Sequence, residues 1–359
     1  MAYCKTQRAM QAAATAAAER KKRREMARAA ASATASSPRA PPLNVKTTSR
    51  YEKLEPIGAG AFGVVYRALD LRTGEIVALK CLNGIDDHID GRRVDSIFAG
   101  EVRALEACRG VPCVVQLRDA CRHDPATGEA LIAMELVSGP SLKDAMRGRN
   151  GVPRRHGERE VRRVARKLLA GAAGIHAAGL MHRDMKPDNV LVHGGGGGLE
   201  LKICELGRAR ATADEPPFSN PVVARSYRAP ELLLGCREYG AGVDTWAIGC
   251  IVAELLAGGL LFCGDTSWEQ LGEVLGVLGT GDIREWSQCP ERLPGGCGPT
   301  SFLREMFPSS PELAMVSGRP ALSEAGFEVL SGLLRCNPEK RMTAADALKC
   351  RWFEEADEG

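Results

Sequence analysis

From Leu54 onward the chain alternates short apolar runs with turn residues, whereas residues 1–47 carry few bulky apolar side chains. Val64, Val65 and Tyr66 follow Gly58, Gly60 and Gly63, and a turn at Arg72-Thr73-Gly74-Glu75 leads into Ile76-Val77-Ala78-Leu79-Lys80. Such β-branched and aromatic runs predict a β-hairpin with glycines at its tip, extended by a third strand. Asp95 to Ala107 places Ile97, Val102 and Leu105 at helical spacing with Glu101 among them, which predicts a helix. Ala130 to Val137 reads as a buried strand, and Ser138-Gly139-Pro140 breaks it where a hinge would fit. The five glycines Gly194 to Gly198 fall between two strands and read as a stretched hairpin loop. Trp246 to Phe262 is apolar but interrupted by Glu254, too short for a membrane span and suited to a buried core helix.

Composition narrows the class. At 359 residues the chain makes one large domain or two closely packed lobes. Apolar residues are 44% and charged residues 26%, which excludes disorder throughout. The 13 cysteines include no C-x-x-C pair, so a disulfide scaffold or zinc ribbon is not expected and a reducing intracellular compartment is. The formal charge of +3 hides an asymmetry: residues 1–50 contain only two acids, Glu19 and Glu25, against a run of Arg and Lys. Residues 1–47 are therefore expected to be a basic, Ala/Arg-rich disordered tail. Within it, Arg20-Lys21-Lys22-Arg23-Arg24 fits a nuclear import signal, a solvated basic helix or part of an organellar transit peptide. The expected location is nuclear or nucleocytoplasmic. No aromatics interleave with the basic run, so specific nucleic-acid binding is not expected, nor is a membrane partner.

Candidate chemistry begins at the hairpin. Gly58, Gly60, Gly63 and Val65 form G-x-G-x-x-G-x-V. A dinucleotide-binding turn uses the same glycines but runs from strand into helix, and here strand follows instead, favouring a strand-loop-strand cover over phosphates. Lys80 follows this loop, and a lysine that faces phosphates needs a carboxylate to hold it, for which Glu101 is placed. His182-Arg183-Asp184-Met185-Lys186-Pro187-Asp188-Asn189 then reads H-R-D-x-K-P-x-N, and Arg228-Ala229-Pro230-Glu231 completes an ordered set.

On these motifs residues 51–353 resemble a eukaryotic Ser/Thr protein kinase. The segments Val222 to Glu231 and Leu260 to Thr280 are similar to those of the cyclin-dependent, CMGC-group kinases. The resemblance implies an α+β, two-lobed fold, with a β-rich N-lobe over 51–137 and a helical C-lobe over 138–353. It implies transfer of the γ-phosphoryl of ATP, with Mg2+ or Mn2+, to protein substrates at Ser or Thr followed by Pro. By motif position, Asp184, Lys186 and Asn189 are the expected catalytic residues, and Asn189 and Glu205 the expected metal ligands. Nucleotide contacts are expected from Ile57, Gly58, Ala59, Gly60, Ala61, Phe62, Gly63, Val64, Val65, Lys80, Glu101, Glu135 and Val137. Glu231 is expected to pair with Arg341, Asp244 to brace the catalytic loop, and His176 to be structural.

Several positions depart from the family's pattern. The D-F-G triplet is here Glu205-Leu206-Gly207, whose carboxylate is one methylene longer, while magnesium demands near-ideal geometry. The bridging threonine of the family is Ala224, and its tryptophan is Ser226. These departures support an alternative reading as a pseudokinase or scaffold with weak or no transfer. The helix signature through which relatives bind cyclin is reduced to Ser96 and Glu101, so a cyclin-type activator is not supported. Ala61 and Phe62 stand where relatives carry an inhibitory phosphorylated pair, so that brake is expected to be absent. Ser219 is the candidate activating phosphosite, with Arg183 and Arg210 as phosphate partners and Gly100 in place of a third.

Overall fold

A computed structural model describes residues 48–60, 63–82, 91–148, 151–195, 198–214 and 224–354, all within one compact unit. The basic tail, Ala61, Phe62 and Ser219 lie outside the described residues. The N-terminal half of the unit is a five-stranded antiparallel sheet of β1 (Tyr51–Gly60), β2 (Gly63–Asp70), β3 (Ile76–Leu82), β4 (Leu117–Cys121) and β5 (Ala130–Glu135), in the order β1-β2-β3-β5-β4. Helix α1 (Gly91–Ala107) packs against it. The rest of the unit is mainly helical, which gives the expected α+β kinase fold.

Period-two alternation on β3 decides where its lysine goes. Val77, Leu79 and Cys81 join Tyr51, Ala68, Leu131 and Ala133 in a small core on one face of the sheet. Ala78 and Leu82 lie on the other face, in the large core shared with α1 and the helical half. Lys80 sits between them, so its side chain is carried to that same inner face and is only 3% exposed. The strand runs two residues past the expected end, because Cys81 and Leu82 continue the ladder with β5. On α1, Glu101, Ala104 and Leu105 are all buried, at the spacing of one helix face. Glu101 therefore meets Lys80 by geometry. The helix begins at Gly91, one turn before the expected Asp95.

The β1–β2 hairpin places its glycines at the tip, with Gly60 opposite Gly63. Gly63 has a φ of +151°, and a Cβ there would lie 2.0 Å from the Cys81 carbonyl oxygen. No side chain fits without moving β3 away. Gly63→Ala is expected to cost about 1–3 kcal/mol, the range for strained backbone positions, read by denaturant titration.

In the helical half, α2 (Glu158–Ala177) and α3 (Gly242–Ala257) pack together. Residues Val243 to Ala253 of α3 are buried without interruption, as expected for a helix apolar on all sides. Gly258, with a φ of +70°, ends it. A two-stranded hairpin, β6 (Val190–Gly195) and β7 (Gly198–Ile203), follows the H-R-D segment and spans the glycine run. Gly139 passes so close to it that a Cβ would lie 1.9 Å from the Val192 carbonyl oxygen, so only glycine fits this crossing between the halves. No described helix is long and apolar enough to cross a membrane.

Candidate active site

The site forms where the inner face of β3 meets the loop after α2. Lys80 Nζ donates to both oxygens of Glu101, at 2.7 and 2.9 Å, and to Glu205 Oε2 at 3.0 Å. Burial opposes charge on Lys80, but the Glu101 and Glu205 carboxylates outweigh it and raise its pKa. The ammonium is thus fully formed at neutral pH. A Cβ at Gly207 would lie 2.9 Å from Glu101 Oε2, so a side chain there would displace the Glu101 carboxylate.

The H-R-D loop is held from below. Asp244, near the start of α3, accepts from the backbone N–H of His182 through Oδ2 and of Arg183 through Oδ1, each at 2.8 Å. His176 lies 2.9 Å from Asp244 Oδ2 and has a structural place, as expected. Burial alone would raise the Asp244 pKa; the His176 hydrogen bond, the neighbouring imidazoles and the Arg183 N–H together lower it. Arg183 takes a left-handed φ of +68°, which turns the chain so that Asp184 follows into the cleft. His182 is buried; its Nδ1 accepts from the Asp184 N–H at 3.2 Å, so Nε2 carries the proton and donates to the Cys204 carbonyl at 2.9 Å. Cys204 N–H in turn donates to the Asn189 carbonyl at 2.9 Å, which joins the H-R-D loop to the segment that carries Glu205. Burial pushes the Cys204 thiol up to about 12, so no thiolate enters the site.

Donors gather on one oxygen of Asp184. Lys186 Nζ lies 3.2 Å from Oδ2, and Asn189 Nδ2 reaches Oδ2 at 3.1 Å and the Asp184 carbonyl at 2.8 Å. Asp184 Oδ1 is buried and has no hydrogen-bond partner among the described residues. A buried carboxylate oxygen left in this state is costly unless another group comes to it. That orphaned oxygen, with a lysine beside it, is suited to receive a hydroxyl proton from a substrate. Glu205 itself takes a left-handed φ of +65° at the start of the one-turn helix Leu206–Arg208. Buried Leu206 anchors that turn.

The protein kinase domain family matches this chain over residues 51–353. The chain belongs to that family. Among relatives of this kinase, a cyclin-dependent kinase F-2 from Oryza sativa subsp. japonica is 47% identical over 86% of this chain and 91% of its own. Cyclin-dependent kinase B2-2 from Arabidopsis thaliana is 33% identical over 87% of this chain and 95% of its own. A cyclin-dependent kinase G-2 from Oryza sativa subsp. indica is 37% identical over 86% of this chain, which spans 42% of that protein. The kinase is thus of the cyclin-dependent-kinase-like Ser/Thr group.

The geometry brings together Lys80, Glu101 and Glu205 at one end of the cleft and Asp184, Lys186 and Asn189 at the other. Ile57, Gly58, Ala59 and Gly60 are exposed along β1, and Val64 and Val65 are half-buried on β2 opposite β3. Glu135 and Val137 sit at and just past the end of β5, toward the helical half. The Glu135 carboxylate accepts from Lys202 at 2.7 Å and from the Gln116 N–H at 3.0 Å, so its side chain is engaged in the fold. No group of three His, Cys, Asp or Glu that could by itself hold a metal ion occurs among the described residues. A metal carried on substrate phosphates needs only one or two protein oxygen ligands, and the Glu205 carboxylate and the Asn189 side-chain carbonyl, on adjoining segments, supply that donor set. Sequence reasoning missed Arg208. Its Nε lies 3.6 Å from Asp184 Oδ2. An arginine one residue past a glycine carries no signal of its own, since only the fold aims it.

Proposed function

We propose that this kinase transfers the γ-phosphoryl of ATP to Ser or Thr hydroxyls of protein substrates, those followed by proline foremost. One observation carries the reading: the buried, unpartnered Asp184 Oδ1, beside an oxygen already held by Lys186 and Asn189. Asp184 accepts the proton of the acceptor hydroxyl. Lys186 balances charge at the transferring group, and Lys80, oriented by Glu101, holds the nucleotide phosphates. Backbone groups of the glycine hairpin cover those phosphates, and the Glu135 to Val137 stretch receives the base. Asn189 and Glu205 would hold magnesium, which would supply neutralisation of the phosphate charge. The preference for proline is supported by the Val222 to Glu231 resemblance and by the names of the relatives. The basic run at Arg20 to Arg24 is proposed as a nuclear import signal, tested by whether its loss from a fluorescent fusion abolishes nuclear accumulation.

A second reading, a pseudokinase, is favoured by the 3.0 Å contact between Glu205 and Lys80. The longer side chain reaches the ammonium that the phosphates need. Glu205→Asp withdraws the carboxylate by one methylene. It is expected to raise turnover at saturating ATP by about 10- to 100-fold in magnesium, on the cost of ~1 Å misplacement. Manganese is expected to help the parent more than the variant. The measurement is transfer of labelled phosphate to a Ser-Pro peptide in each metal. No transfer by either protein in either metal would leave the pseudokinase reading standing.

A further inference from the structure

We infer that Arg208 is a positioning residue for this reaction, holding the Asp184 carboxylate by Oδ2 so that Oδ1 remains for the acceptor hydroxyl. The inference rests on the transfer reading above. Three cationic or amide groups converge on one oxygen: Asn189 Nδ2 at 3.1 Å, Lys186 Nζ at 3.2 Å and Arg208 Nε at 3.6 Å. The last is an ion-pair distance, too long for a hydrogen bond. The other oxygen is buried and unpartnered.

A carboxylate in this state has a reason to rotate, because turning about χ2 would share its donors between both oxygens. What opposes rotation is charge concentrated on one side. Lys186 lies on the same loop as Asp184 and has a flexible stem, so it can follow a rotating carboxylate. Arg208 comes from a different segment and is tethered at both ends. Leu206, two residues before it, is fully buried, and Arg210 and Ala211, just after it, pair with Met181 and Leu180, directly before His182. Its backbone is therefore held on both sides, so the guanidinium approaches Asp184 from an anchor that lies outside the H-R-D loop. Ala224, at the edge of the turn Arg225–Tyr227, offers only a methyl group and adds no side-chain donor. Arg208 has further partners in the fold. It faces Asp184 from outside the H-R-D loop.

The test compares Arg208→Lys and Arg208→Met with the parent, using steady-state transfer to a Ser-Pro peptide and crystal structures of all three proteins. Arg208→Met is expected to lower kcat about 10- to 100-fold, the scale of a ~1 Å misplacement, with KM for ATP unchanged. Arg208→Lys, which keeps the charge, is expected to recover most of that loss. In the crystals, the Asp184 carboxylate should keep one orientation in the parent and in Arg208→Lys, and rotate in Arg208→Met. An undiminished kcat in Arg208→Met overturns the inference. So do equal losses in the two variants, which would mark Arg208 as a structural residue. If the parent transfers no phosphate in either metal, the transfer reading fails, and the crystals still decide: a carboxylate unmoved in Arg208→Met overturns the positioning role, and a rotated one supports it.

Discussion

Asp184→Asn is expected to lower phosphoryl transfer by about 10²- to 10⁴-fold, the range for loss of a general base. The amide keeps the shape of the carboxylate, so the fold and ATP binding should persist. Asp184 is 6% exposed, and Lys186, Asn189 and Arg208 all address its Oδ2. An amide cannot take a proton, and it presents its own N–H where one of these cations or the acceptor must approach. The loss should therefore fall on kcat, with KM for ATP little changed. The check is single-turnover transfer at saturating ATP, alongside nucleotide titration by calorimetry. Equal rates for variant and parent would show that the phosphate transferred came from another enzyme, or that Asp184 is not the base.

Arg341→Met is expected to destabilise the protein by about 3–5 kcal/mol, the range for breaking a buried ion pair by removing one partner. Arg341 donates to both oxygens of Glu231, at 2.6 and 2.8 Å, and both side chains are almost fully buried. The same guanidinium donates to the Arg335 and Gly242 carbonyls at 2.9 and 3.0 Å and lies over the Trp246 ring at 5.1 Å. Without it, the Glu231 carboxylate is left charged in a dry interior, and the Arg335, Gly242 and Cys336 carbonyls lose a donor. Glu231→Met in the Arg341→Met background removes that stranded charge and should recover part of the loss. Denaturant titration of the single and double variants measures both effects. A loss under about 1 kcal/mol for Arg341→Met would mean that water reaches Glu231 and the pair behaves as a surface bridge.

Much of this site was legible in the chain because local pattern and chemistry agree there. The glycine spacing and the β-branched residues after it specify a hairpin tip, and the hairpin formed with Gly60 opposite Gly63. The alternation on β3 that puts Ala78 and Leu82 inward carries Lys80 inward with them. The helical spacing that buries Ala104 and Leu105 buries Glu101. The pairing of Glu231 with Arg341 and the bracing role of Asp244 followed from the resemblance alone, since nothing local links residues so far apart in the chain. The less legible features are ends and aims. The start of α1 moved back by one turn, and β3 ran on by two residues, because pairing with β5 extends a strand beyond its own apolar signal.

By itself, then, the sequence determined the faces: which side of each strand and helix is apolar, and hence which charged residues are carried inward with it. It also determined the set of chemical groups the cleft would contain. The tertiary structure alone decided the meetings that neither the pattern nor the motifs announce. Glu205 reaches Lys80 across 125 residues, and Arg208 comes to Asp184 from a segment beyond the β6–β7 hairpin. Periodicity repeats over a few residues and so sets the direction of a side chain relative to its own element. The crossing of two elements is set by packing of the whole core, which no local repeat encodes.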